Sequence, residues 1–271
     1  MGEICMSQVR HQRNFLKTLA RGMQVMSAFT PERPALSLTE LAEVMKLDPA
    51  TVYRFVYTLE HMGYLRRDTA TRTYGLTSRV LDLGRAVDRP DELRAAARPC
   101  LEEMAQQTGE TVELAIHDGT EIVVLDTIES RQRVAVRGWV GKHLPAYCTA
   151  QGKVLLAYLL PTEQAHLLDE IKLEALGPHT ITDKAALEKE LRRTAKRGYG
   201  LNNNEMNIGI QAIAAPIRSH ADHVVAALGI AMPIGRMTAS EMESRFAKPV
   251  MAYAARISAA LGYGQETSQA R

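Results

Sequence analysis

The sequence predicts an α+β protein of about two domains: a small N-terminal helix-turn-helix unit with a β-hairpin wing, then a larger mixed α/β unit. Three observations predict it. Two short amphipathic helical patterns lie back to back between Ser37 and Gly63, a hairpin pattern follows them directly, and apolar runs of strand length mix with helical patterns from Glu92 onward. The 271 residues, 46% hydrophobic and 24% charged, hold enough apolar material for ordinary globular cores.

Ser37-Leu38-Thr39-Glu40 is a capping box: the Ser hydroxyl and the Glu carboxylate can each satisfy backbone N–H groups that a helix start leaves unpaired. A helix is expected from there to about Met45, with Leu38, Leu41, Ala42 and Met45 on one face. Asp48 is a good N-cap and Pro49 a good first helical residue, so a second helix runs over 49–62 and stops at Gly63. Its apolar stripe is Val52, Phe55, Val56, Leu59 and Met62; Thr51, Tyr53, Arg54, Tyr57, Thr58 and His61 fall on other faces. Hydroxyls and a guanidinium near the start of a second helix are what a reader of the DNA major groove needs. Residues 64–76 then form the wing, which carries Arg66, Arg67 and Arg72. A protein-interaction module with solvated arginines is the competing reading. Charge favours nucleic acid: residues 1–86 hold 12 Lys+Arg against 8 Asp+Glu, and the remainder 21 against 23.

Further along, 76–88 is helix-like and basic, Pro90 is expected to break it, and Glu92 to Thr108 resumes a helical pattern before Gly109. Glu121 to Ile128, Val134 to Val140, Ile208 to Arg218 and Val224 to Met232 read as strands, with Asp118-Gly119 a hairpin turn. Thr238 and Glu241 form a second capping box, ahead of a helix that Pro249 can kink and Gly262 ends.

Leu38-Thr39-Glu40-Leu41-Ala42, Ala50-Thr51-Val52-Tyr53-Arg54 and Leu59 to Arg67 resemble the isocitrate lyase regulator (IclR) family of bacterial transcription factors. Leu144 to Lys153, Arg197-Gly198-Tyr199, Asn204-Glu205 and Ile208 to Pro216 resemble the same family, and the likeness spans about residues 14 to 262. It implies a tail over 1–13, a winged helix-turn-helix domain over 14–77, a linker helix over 78–90, a GAF-like effector domain with an antiparallel sheet over 91–262, and a tail over 263–271, both tails flexible. It also implies a cytoplasmic homodimer or dimer of dimers on a pseudo-palindromic operator in double-stranded DNA, regulating a catabolic operon. The DNA-facing set is Thr39, Ala50, Thr51, Tyr53, Arg54, Tyr57, Arg66, Arg67, Arg72 and Thr73.

Thr149 followed by the helix-like Ala150 to Leu156 offers free backbone N–H groups and a positive dipole end, which favour a carboxylate. Residue by residue, the resemblance places a small carboxylate effector against the amides of Ala150 and Gln151, with Val136, Leu144, Ile210 and Ala212 as apolar walls and Cys148 and Thr149 beside it. Asn202 stands where the family's best-known member has Asp, and Gly229 and Ala231 where it has Ser. Small side chains there are expected to enlarge the pocket, in favour of an aromatic or similarly bulky acid. Arg137 is either a bidentate carboxylate partner or a surface residue; strand alternation would put it, with Trp139, opposite Val136.

Enzymatic readings find little support. Cys148 has no base that the sequence places beside it and reads as a packed or pocket-lining thiol. His220-Ala221-Asp222-His223 reads as a polar hairpin loop rather than a metal pair. Gly152-Lys153 lacks the rest of a phosphate-binding loop. No cofactor and no metal is expected. Three cysteines (Cys5, Cys100, Cys148) without paired spacing are read as reduced thiols, and no apolar run has the length of a membrane span.

Overall fold

A computed structural model describes residues 15–30, 33–84 and 90–264. These fall into two compact units divided at residues 88 and 89. The first contains α1 (Lys17–Ser27), β1 (Ala35–Ser37), α2 (Leu38–Met45), α3 (Pro49–His61), β2 (Leu65–Asp68), β3 (Thr73–Leu76) and the short α4 (Val80–Gly84). Both caps expected from sequence are made. Glu40 N–H donates to Ser37 Oγ while Ser37 N–H donates to the Glu40 carboxylate, and Thr51 N–H donates to Asp48 Oδ1 at 2.9 Å. Lys46 takes the left-handed conformation at the end of α2 and makes the tight turn into α3. Val52, Val56 and Leu59 are buried against Val25, Leu36 and Leu41. Met62, expected in the same stripe, is half exposed, because α3 ends at His61 and Gly63 turns the chain away at positive φ. The wing is an antiparallel sheet of order β1-β3-β2.

The second unit contains α5 (Pro90–Thr108), β4 (Thr111–Asp118), β5 (Glu121–Ile128), β6 (His143–Pro145), α6 (Ala150–Ala157), α7 (Pro161–Glu170), α8 (Lys184–Arg197), β7 (Gly200–Asn203), β8 (Ile210–Arg218), β9 (Val224–Pro233) and α9 (Ala239–Ala260). Its six strands form one antiparallel sheet of order β6-β5-β4-β9-β8-β7. Strand alternation gives the two faces different sizes of side chain. Val112, Leu114, Ile213, Ile217, Leu228, Ile230 and Met232 pack with α5 and α9. The opposite face is made of Ala115, Ala212, Ala214, Ala227 and Ala231, and α6 lies there with its first seven residues buried. Small residues let the α6 backbone come close. A Cβ on Gly200 would stand 2.4 Å from the Ala150 carbonyl oxygen, and one on Gly152 would stand 2.2 Å from that of Ala146.

Pro90 opens α5, where its missing N–H is not needed; the end of the helix it is expected to break falls outside the described residues. Three expectations are corrected. The hairpin loop is Gly119-Thr120, since Asp118 still pairs with Glu121. β8 begins at Ile210 instead of Ile208, after a turn at Gly209 with φ of 90°. Residues 134–140 alternate like a strand but form none: β6 pairs with Glu121 to Val123 of β5, and Thr111 Oγ1 donates to the Val136 carbonyl at 2.6 Å, a side-chain tie in place of a backbone ladder. The linker helix expected over 78–90 is described only as α4. Residues 85–89, the tail over 1–13 and 265–271 of the other tail lie outside the described residues, as does Cys5.

Candidate functional site

Two surfaces carry the chemistry, one in each unit. On α3, Tyr53 and Tyr57 are 47% and 57% exposed, with ring centroids 6.1 Å apart, and Tyr57 stacks on His61. Arg54 and Ala50 are exposed beside them, Thr51 is half-buried at the capped start, and Thr39 is exposed on α2. Two exposed tyrosines one helical turn apart are an unusual surface unless a partner covers them. In the wing, Arg66 and Arg67 are exposed on β2, and the Arg67 guanidinium lies 5.8 Å from the centre of the Tyr74 ring. Arg72 occupies the turn at a φ of 55°, next to a half-buried Thr73. The folded unit thus presents an aromatic and basic helix face together with a basic hairpin.

In the second unit, a partly open cavity of about 40 Å³ lies at the start of α6. Val136, Leu144, Thr149, Gln151, Asn202, Ile210, Ala212 and Ala231 line it, together with Glu113, Lys142, Met206 and Asn207, which the sequence reading does not single out. Thr149 caps α6: Gly152 N–H donates to its hydroxyl at 3.2 Å and Lys153 N–H to its carbonyl at 3.0 Å. That leaves the N–H groups of Ala150 and Gln151 ahead of the helical ladder. Asn202 holds the loop below, its Oδ1 accepting from Glu205 N–H at 3.0 Å. Glu205 in turn binds Lys153 Nζ through both oxygens at 2.6 and 2.8 Å, and Lys153 is 1% exposed. The lysine of the Gly152-Lys153 pair is therefore spent on an internal ion pair.

Cys148, Ala150 and Gly229 fall outside the cavity lining. Cys148 is buried, its Sγ pointing to the Pro145 carbonyl at 3.8 Å, and burial pushes its thiol up to about 12. Gly229 is small for a different reason from the one expected. A Cβ there would meet Gln151 Nε2 at 2.6 Å, so the Gln151 side chain fills the space and no enlarged pocket results. Gly229→Ala is expected to cost about 1 kcal/mol, low for overpacking because the clash is with a movable side chain, and Gln151→Ala should relieve it in a double-mutant cycle measured by urea unfolding. Arg137 is exposed and does not line the cavity; its carbonyl accepts from Lys142 Nζ at 3.0 Å, and that ammonium sits 4.6 Å from the centre of the Trp139 ring. The alternation argument for both residues lapses with the missing strand.

The His220 to His223 segment is the β8–β9 loop, closed by Ser219 N–H to the His223 carbonyl. Among the described residues no cluster of three or more His, Cys, Asp or Glu could hold a metal ion, and no helix is long and apolar enough to cross a membrane.

A winged helix-turn-helix with an aromatic and basic reading face, in one chain with a cavity-bearing α/β unit, defines a DNA-binding transcriptional regulator. Residues 18–69 match the IclR helix-turn-helix domain, and residues 85–259 match the bacterial transcriptional regulator IclR C-terminal domain, so the chain belongs to the IclR family. The Pca regulon regulatory protein of Pseudomonas putida is 32% identical over 90% of this chain and 83% of its own length. The regulator KdgR of Escherichia coli is 32% identical over 88% and 90%. The crystal structure of an IclR homologue from Microbacterium hydrocarbonoxydans, complexed with 4-hydroxybenzoate, superposes with a TM-score of 0.76 at 26% identity, over 90% of this chain and 98% of that one. The relatives are regulators rather than enzymes, and so is this chain.

Proposed function

We propose that the chain regulates a catabolic operon as a dimer or dimer of dimers. Two copies of α3 enter successive major grooves of a pseudo-palindromic operator, and a small carboxylate beside the start of α6 shifts the balance between DNA-binding arrangements. The carrying observation is the coincidence, at one cavity, of the capped α6 start with its N–H groups ahead of the ladder and a lining of apolar walls. A ligand shifts such a balance only by binding the two arrangements unequally.

The effector class we favour is an aromatic or similarly bulky acid, a reading that the 4-hydroxybenzoate of the Microbacterium relative supports. A cavity of about 40 Å³ holds little more than a water molecule, so a ring has to displace the Gln151 side chain as it enters. Calorimetry with aliphatic and aromatic acids, paired with gel shifts on DNA flanking the gene, tests both parts. Binding of one acid together with a changed gel shift is expected. Binding of short oxo acids alone overturns the size argument, and a gel shift indifferent to every acid that binds overturns the regulatory one.

A further inference from the structure

The cavity contains one group that a pocket for a plain carboxylate has no use for. Glu113 lies on β4, on the face toward α6, and is 5% exposed. One hydrogen bond reaches its carboxyl group, a long one from Gln151 Nε2 to Oε2 at 3.3 Å; among the described residues no donor reaches Oε1. Lys142 lines the same cavity and its charge acts on Glu113, but its ammonium donates to the Arg137 carbonyl and lies by the Trp139 ring rather than on the carboxyl group. The neighbourhood makes room for the acid rather than pairing it. A Cβ on Gly138 would lie 2.1 Å from Glu113 Oε1, and Thr127 Oγ1, close to the same spot, is buried with no hydrogen-bond partner. Burial pushes the Glu113 carboxyl above the usual range, against the pull of Lys142.

We infer that Glu113 is a specificity-determining residue of this cavity, accepting a hydrogen bond from a hydroxyl or protonated amine that the effector carries beside or opposite its carboxylate. The inference rests on the carboxylate reading of the α6 site and adds its second contact. A ligand with a donor gives the under-bonded carboxyl group a partner, whereas a bare carboxylate in the same space brings it none.

Calorimetry on the full chain decides it with matched probes: propionate against lactate and alanine, and benzoate against its hydroxy derivatives. The substituted acid of a pair is expected to bind at least about tenfold more tightly than its parent, the range for a hydrogen bond to a charged acceptor. That preference should shrink in Glu113→Gln, which keeps a neutral acceptor and the side-chain shape, and vanish in Glu113→Ala, with thermal unfolding confirming that both variants are folded. Lactate separates from alanine according to whether a hydroxyl or an ammonium is preferred. If acids bind but the substituent makes no difference, or its advantage survives Glu113→Ala, the inference fails while the carboxylate site stands. If no acid of the panel binds, the carboxylate reading fails and takes the inference with it.

Discussion

Glu205→Ala is expected to remove about 3 to 5 kcal/mol of folding stability, because it strands the Lys153 ammonium in an interior with no other partner among the described residues. Both groups are out of water: the Lys153 side chain is 1% exposed and that of Glu205 9%. Burial outweighs the attraction of Lys153 and pushes the Glu205 carboxyl above its usual range, so ionising it costs the folded state more than the unfolded chain. The pair therefore fixes an arrangement rather than adding net stability. Replacing both partners, as in Lys153→Met with Glu205→Leu, should restore most of the loss. Urea unfolding of the two variants at neutral pH checks this; a single variant within about 1 kcal/mol of the parent would mean that water reaches the pair.

Arg54→Ala should weaken binding to the specific operator by about 1 to 3 kcal/mol, and Arg72→Ala should act differently. Arg54 stands exposed on α3 between Tyr53 and the Tyr57 turn, where a guanidinium can reach a base edge. Arg72 sits in the wing turn, where phosphates are the available partners. Titrations on operator and random DNA at several salt concentrations separate the roles. Arg54→Ala should lose discrimination, while Arg72→Ala should lower both affinities alike and reduce the salt slope by about one. Equal losses on both DNAs from both variants would refute the division.

The parts of this fold legible in sequence are those whose instructions are local. The caps at Ser37, Asp48 and Thr238 are hydrogen bonds across three residues, so α2, α3 and α9 begin where the letters say. The start of α6 is legible for the same reason, through Thr149. The sequence reading assigns no element to α1, β1, β6, α7, α8 or β7. It also mistakes 134–140 for a strand, since alternation reports a pattern but not whether a backbone partner pairs with it. Glu113 is hidden because a lone acid in the run Thr-Val-Glu-Leu-Ala-Ile looks like an outward-facing strand position. Only the assembled sheet shows that both its faces are covered. Gly229 misleads in the opposite direction, a missing side chain being read as space when another residue already occupies it.

The alanine and glycine face beneath α6 also bears on how this regulator can change its ligand over time. Since the Gln151 amide occupies the volume above Gly229, any gain of bulk at 229 is transmitted straight to the side chain that roofs the cavity. New effector preferences are therefore expected to arise through linked changes at 151 and 229. A library varying both together should yield responses that neither position gives alone.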